Sequence, residues 1–203
     1  MRGWLLGLAM LVTAGSVAAQ DLPVAPPSPL VDPYGGKAMK KAPVVDNFAL
    51  GGARGQFQVT SLDKVRAAVG GGVVQKVPGQ GLFDYLCYDL PSAGERVWLA
   101  VTDEMGNEGD LVDSVTVKPL QSSDPKSRTC PALPARFAPV IVDGGVRLGM
   151  SRKDIIRVLG QPSLDTGGWL VFWSDADDNR MTVTARIDGG KVVFLYVSRT
   201  STD

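Results

Sequence analysis

Ser61-Leu-Asp-Lys-Val65-Arg-Ala-Ala-Val69-Gly70 returns ninety positions later as Ser151-Arg-Lys-Asp-Ile155-Ile-Arg-Val-Leu159-Gly160. In each copy a Ser opens the segment, apolar residues follow at helical spacing, and a Gly closes it. Ser151 with Asp154 three residues on is a capping-box-like pair, with Asp in place of Glu. Ile155, Ile156 and Leu159 form the expected buried face, and Gly160 then Pro162 stop the helix. In the earlier copy the helix runs Leu62–Val69 and ends at Gly70-Gly-Gly72.

β-rich segments follow each helix. After the second come Trp169–Trp173, Met181–Ile187 and Val192–Ser198, the last two joined at Asp188-Gly189-Gly190, a strong hairpin signal. After the first come Leu82–Asp89, Arg96–Thr102 and Val112–Lys118. The expected fold is therefore α+β: two tandem repeats, each a short helical segment packed on a three- to four-stranded antiparallel sheet. Each unit alone is near the lower size limit for a self-sufficient core, so the two are expected to pack together.

Period-two alternation assigns faces. Met181, Val183, Ala185 and Ile187 point to the helix, as do Val193, Leu195 and Val197, Leu170 and Phe172, and Val97, Leu99 and Val101. That leaves Trp98, Trp169, Trp173, Phe194 and Tyr196 on the other side, with Arg186 among Thr residues. Large amphipathic aromatics beside Arg dominate the energetics of protein interfaces. This face either packs between the two units or is presented to a partner, and these six residues are the candidate binding set.

The rest of the chain divides around the units. Residues 1–19 have a basic start (Arg2), an apolar run from Trp4 to Val12 and small residues Val17-Ala18-Ala19, the pattern of a secretory signal cut near Ala19. Residues 20–45 carry six prolines, with Gly35-Gly36 and few large apolar groups, and read as a disordered arm or tether. Residues 46–120 form the first unit, 121–138 a polar, Pro-containing connector, and 139–203 the second unit. No later stretch approaches the ~20 apolar residues of a membrane span.

Without residues 1–19 the 21 basic residues become 20, because Arg2 is lost, against 21 acidic ones, a net charge of −1. That balance offers no clustered basic surface for nucleic acid or anionic membrane. Cys87 and Cys130 are an even pair in an exported chain and are expected to form a disulfide.

The string Val146-Arg-Leu-Gly149-Met150-Ser151-Arg-Lys-Asp-Ile155-Ile-Arg-Val-Leu159-Gly160-Gln-Pro162 resembles the entry motif of the small outer-membrane assembly lipoproteins of the SmpA/OmlA (BamE-like) type. Those open with a Gly-small-Ser/Thr turn, an apolar helix and a Leu-Gly-x-Pro stop, then a three-stranded sheet. Two such units in tandem, with a disulfide and an aromatic sheet face, are similar to the architecture of the β-lactamase inhibitor proteins. The resemblance covers about 60 residues of the second unit and is looser in the first, where Gly70-Gly-Gly72 lacks the proline stop. The lipidated N-terminal Cys of the barrel-assembly members is not matched. The resemblance implies a protein-binding role in the envelope or outside the cell.

The chain has no His, which removes Ser-His-Asp and Cys-His mechanisms and the usual His-bearing zinc sites. Asp175-Ala-Asp177-Asp178-Asn179 imitates the start of a calcium loop, but Arg180 stands where the Gly belongs and Arg186 where the bidentate Glu belongs. Gly70-Gly-Gly72 lacks the Lys-Ser/Thr of a phosphate loop. No metal or cofactor is expected. The reading is a non-catalytic periplasmic or secreted protein-binding module, an envelope-assembly accessory or a protein inhibitor, with a protein partner and no membrane insertion. Its competitors are a carboxylate-dependent enzyme acting on cell-wall glycans and a structural envelope protein tethered by its arm.

Overall fold

Ser61 and Ser151 cap the two helices that their spacing predicts. The computed structural model describes residues 24–40, 45–76, 84–102, 110–176 and 179–201; the expected signal segment lies outside them. Helix α1 is Leu62–Val69 and α2 is Arg152–Leu159. Ser61 Oγ accepts the Lys64 N–H at 3.2 Å, and Ser151 Oγ accepts the Asp154 N–H at 3.1 Å. Each bond satisfies one donor that a helix start leaves unpaired. Gly70 and Gly160 end the helices at φ of 78° and 87°, a backbone region in which only Gly is unstrained. Leu62, Val65 and Val69 bury the inner face of α1, and Ile155 and Leu159 that of α2; Ile156 is only half-buried, at the margin of its stripe.

The strands, in chain order, are β1 Asn47–Leu50, β2 Ala53–Gln56, β3 Gln75–Lys76, β4 Asp84–Leu90, β5 Glu95–Val101 and β6 Ser114–Pro119. They continue as β7 Val140–Val142, β8 Leu164–Thr166, β9 Trp169–Ala176, β10 Asn179–Asp188 and β11 Lys191–Ser201. The fold is α+β: among the described residues, two α-helices and two antiparallel sheets. One sheet is small, in the order β2-β1-β7. The other has eight strands in the order β3-β4-β5-β6-β11-β10-β9-β8.

The strands that follow α1 and those that follow α2 thus meet edge to edge, not face to face. β6 and β11 would each end a four-stranded sheet with an open row of backbone donors and acceptors. Pairing them, with Val115 opposite Val197 and Val117 opposite Leu195, satisfies both rows. The small sheet also links distant stretches, since β1 pairs with β7. The hairpin expected at Asp188-Gly189-Gly190 is present, with Asp188 opposite Lys191 and positive φ at both glycines.

Register fixes the inner face. Leu86, Leu99, Val115, Val197, Val183 and Phe172 stand side by side across six strands, all buried. Val65, Val69, Ile155 and Leu159 belong to the same continuous core as this row. Both helices therefore cover one face of the sheet, and the opposite face must be closed by something else or left to solvent.

Candidate functional site: the outer face of the large sheet

The alternation that sends Leu170 and Phe172 inward sends Trp169 and Trp173 outward, as expected. One outer row reads Cys87, Trp98, Thr116, Tyr196, Thr184 and Val171. The row on one side of it holds Tyr85, Ala100, Ser114, Ser198, Thr182 and Trp173. On the other side lie Trp169, Arg186 and Phe194, next to a bulge in β10 between Arg186 and Ile187. All six predicted residues thus share one face, but they do not form one patch.

Trp169, Phe194 and Arg186 are brought together. The two rings meet edge to face with centroids 5.5 Å apart, and the Arg186 guanidinium lies 5.9 Å from the Trp169 ring centre. Trp169 is half-buried, Phe194 nearly buried and Arg186 exposed. Tyr196 is half-buried one row away, between Thr116 and Thr184.

Trp98 is 1% exposed, so on this sheet it is the packed alternative that holds, with the connector and the arm as its cover. It packs with Tyr85, Cys87, Ala100 and Cys130 in a second, smaller apolar cluster on this face. The expected Cys87–Cys130 disulfide is formed, and it carries the connector across the sheet beside Trp98. The connector is held further by Arg96, which is buried. Its guanidinium donates to both Asp89 oxygens at 2.6 and 3.0 Å and to the Pro125 carbonyl at 3.0 Å.

The rest of the cover is the segment read as a free arm. Residues 24–40 carry no helix or strand, yet they are docked: they run from the outer face at Val24 past Trp173 to Met39, which packs on the helix-side core. Trp98 Nε1 donates to the Val24 carbonyl at 2.7 Å, and Val24 packs on the Trp98 cluster. Trp173 Nε1 donates to the Gly35 carbonyl at 3.2 Å, and the Met39 N–H donates to the Trp173 carbonyl at 2.9 Å. Tyr34 meets Trp173 edge to face at 6.0 Å, and Arg180 lies 5.0 Å from the Tyr34 ring centre. The Asp175 carboxylate 3.3 Å from Arg180 raises the guanidinium pKa further, so its charge is constant over Tyr34. Gly36 sits at φ 81°, where a Cβ would overlap the Ser163 carbonyl; a Cβ on Gly35 would press on Leu164 at 2.7 Å. The described arm is thus docked, by contacts that need little apolar area. Tyr34, Val24 and the two glycines are the functional candidates that composition concealed. The signal that could have found them is a lone aromatic and a Gly pair inside a proline-rich stretch, in a chain with spare outward-facing indoles.

Between arm and sheet lies an open cleft of about 510 Å³, lined by Pro27 and Leu30 on one side and by Lys118, Trp169, Arg186 and Phe194 on the other. Two other clefts contain carboxylates bound up in structure. In one, Asp143 accepts N–H bonds from Asp46 and Asn47 at 2.8 and 2.7 Å. In the other, Asp89 binds Arg96, and Asp124 accepts from Lys118 at 2.6 Å. Burial pushes the Asp124 pKa up, but the Lys118 ammonium and the Gln121 N–H outweigh it and hold it below the usual range. Among the described residues no three His, Cys, Asp or Glu side chains come together to hold a metal ion. Nor is any helix among them long and apolar enough to cross a membrane. The imitation calcium loop includes residues 177–178, which lie outside the described residues.

No protein-family model matches the chain. No curated protein matches it in sequence. Among solved structures, a DUF4309 family protein (YjgB) from Bacillus subtilis matches 71% of this chain and 82% of its own, at 12% identity and a TM-score of 0.37.

Proposed function

We propose that this is a non-catalytic, exported protein-binding module that engages a polypeptide partner through the outer face of its large sheet. The observation that carries the reading is the Trp169–Phe194–Arg186 cluster, which borders an open cleft on a face that no helix among the described residues covers. Aromatic anchors beside Arg are the side chains around which binding energy concentrates. Tyr196 and Trp173 extend the same face, and Trp98 supports it from below the surface. Export is supported by the signal-like start and by a disulfide, which persists in oxidising compartments. The matching order of elements, a helix then four strands, on either side of the β6–β11 seam supports descent from one duplicated unit.

The test is affinity capture from the producing cell's envelope fraction with the wild type, Trp169→Ala and Arg186→Ala. Both variants are expected to fold with a near-normal thermal midpoint and to lose the same retained protein. Unchanged capture by both variants would remove the interface. N-terminal sequencing of the protein recovered from the cell tests export, with Gln20 as the expected first residue.

A further inference from the structure

The outer face already holds one polypeptide, and the way it is held defines what else fits. Between the anchored carbonyls of Val24 and Gly35 stand Pro26, Pro27, Pro29 and Pro33. Each proline fixes its φ and has no N–H to offer. A segment of this kind bonds sideways chiefly through its carbonyls, and the sheet supplies the matching donors in the indole N–H groups of Trp98 and Trp173. Aromatic grooves hold extended proline-rich chains in this general manner, because a pre-stiffened chain loses little conformational entropy on docking.

The spacing shows where the arm is held and where it is not. Trp98 on β5 and Trp173 on β9 are separated by four strand spacings. At ~4.8 Å each this is roughly 19 Å. Residues 24–29 run without a bend, Leu30 and Val31 bend, and the Gly35 N–H donates to the Asp32 carbonyl at 3.0 Å in a turn, so the chain spans this distance with residues to spare. The bend at Leu30 borders the cleft beside Trp169, Arg186 and Phe194, and Leu30 itself is 82% exposed. The arm is held at Val24, Gly35 and Met39, and between the first two it borders the open cleft.

We propose, on the reading that this face binds polypeptide, that its ligand is a proline-rich segment of a partner protein, and that residues 24–35 are a built-in copy of that ligand which the partner displaces. The covalently attached arm occupies the face at high effective concentration, so it sets a threshold that a free segment must exceed.

The probe is a fluorescein-labelled peptide reproducing residues 24–40, titrated into the full chain and followed by anisotropy. Val24→Asp with Gly36→Ala weakens the attached arm beside both indole contacts, the second by a clash with the Ser163 carbonyl, and leaves every sheet side chain in place. The peptide is expected to bind this double variant at least tenfold more tightly than the wild type. Replacing its prolines by alanine is expected to weaken binding at least tenfold. Equal affinity for both proteins, or for both peptides, overturns the proposal. A second measurement needs no variant: a spin-labelled peptide in large excess is expected to broaden the Trp98 and Trp173 indole N–H resonances of the wild type, and unbroadened indoles overturn it. A wild-type chain that sediments as a dimer, and becomes monomeric on Gly36→Ala, would give the face to a second copy's arm instead of a partner. Loss of envelope capture by Trp169→Ala with no binding of either peptide would leave the protein-binding reading standing and end the proline-rich assignment.

Discussion

At Trp98 one indole does two things: its ring fills the cluster around the Cys87–Cys130 bridge, and its N–H holds the arm through the Val24 carbonyl. Truncation there is therefore a stability change before it is a binding change. Trp98→Ala is expected to lower unfolding free energy by about 3–5 kcal/mol in urea titration. Trp98→Phe keeps most of the ring but strands a carbonyl and should cost nearer ~1 kcal/mol. Glu95 makes the opposite case. It is buried, and one carboxylate oxygen accepts the Val140 N–H at 3.0 Å. Burial raises its pKa, more than the Val140 bond and the Arg147 charge lower it. The folded state thus holds this proton more tightly than the unfolded chain does. The group's contribution to stability rises as pH falls through the raised folded pKa and is lost again as pH returns to neutral. Glu95→Gln keeps the acceptor and removes the charge. It is expected to stabilise the protein by about 1 kcal/mol near neutral pH, with the gain over wild type vanishing as acid protonates Glu95; denaturation midpoints across that range check it.

The helices were the most legible elements, because each carries its start and stop in the residues themselves. Ser61 and Ser151 sit where the spacing placed them, and α1 has the bounds its sequence predicts. At Ser151 the hydroxyl also donates to the Asp154 carboxylate at 2.6 Å, which holds that carboxyl below its usual pKa range. Ser151→Ala removes both bonds and is expected to cost about 1 kcal/mol, read from the thermal midpoint. The long central strands were legible for a similar reason: their alternation between core and outer face runs for many residues. The short strands were not. β8 is three residues with no buried position, and β2 includes Gly55, where the Phe48 ring takes the place of a side chain. The arm was misjudged because apolar composition measures what a segment can bury, whereas two indole N–H bonds and a close glycine contact hold this one.

For the molecule as a whole, sequence established α+β and the side of most assigned residues but not how the strand sets join; Val193, expected inward, lines the outer cleft, because the bulge after Arg186 puts Val192 in the core instead. Nothing in a single strand's pattern distinguishes edge-to-edge pairing from face-to-face packing, since the same residues point inward in both. The disulfide was legible as a pair, but what it staples was not: it fixes the connector onto the outer face, beside Trp98. It closes a loop of 43 residues, worth about 4 kcal/mol in the chain-entropy model. Replacing Cys87 and Cys130 together by Ser should lower unfolding free energy by up to that amount, with the Trp98 indole resonance moving as its cover loosens. The central claim is that this face, and not the helical one, meets another polypeptide. A photo-crosslinking benzoylphenylalanine placed at Trp169, with the same group at exposed Asp63 on α1 as control, tests it inside the producing cell. An adduct to a second protein from position 169 and none from position 63 is predicted; no adduct at 169, or the same adduct from both, would contradict it.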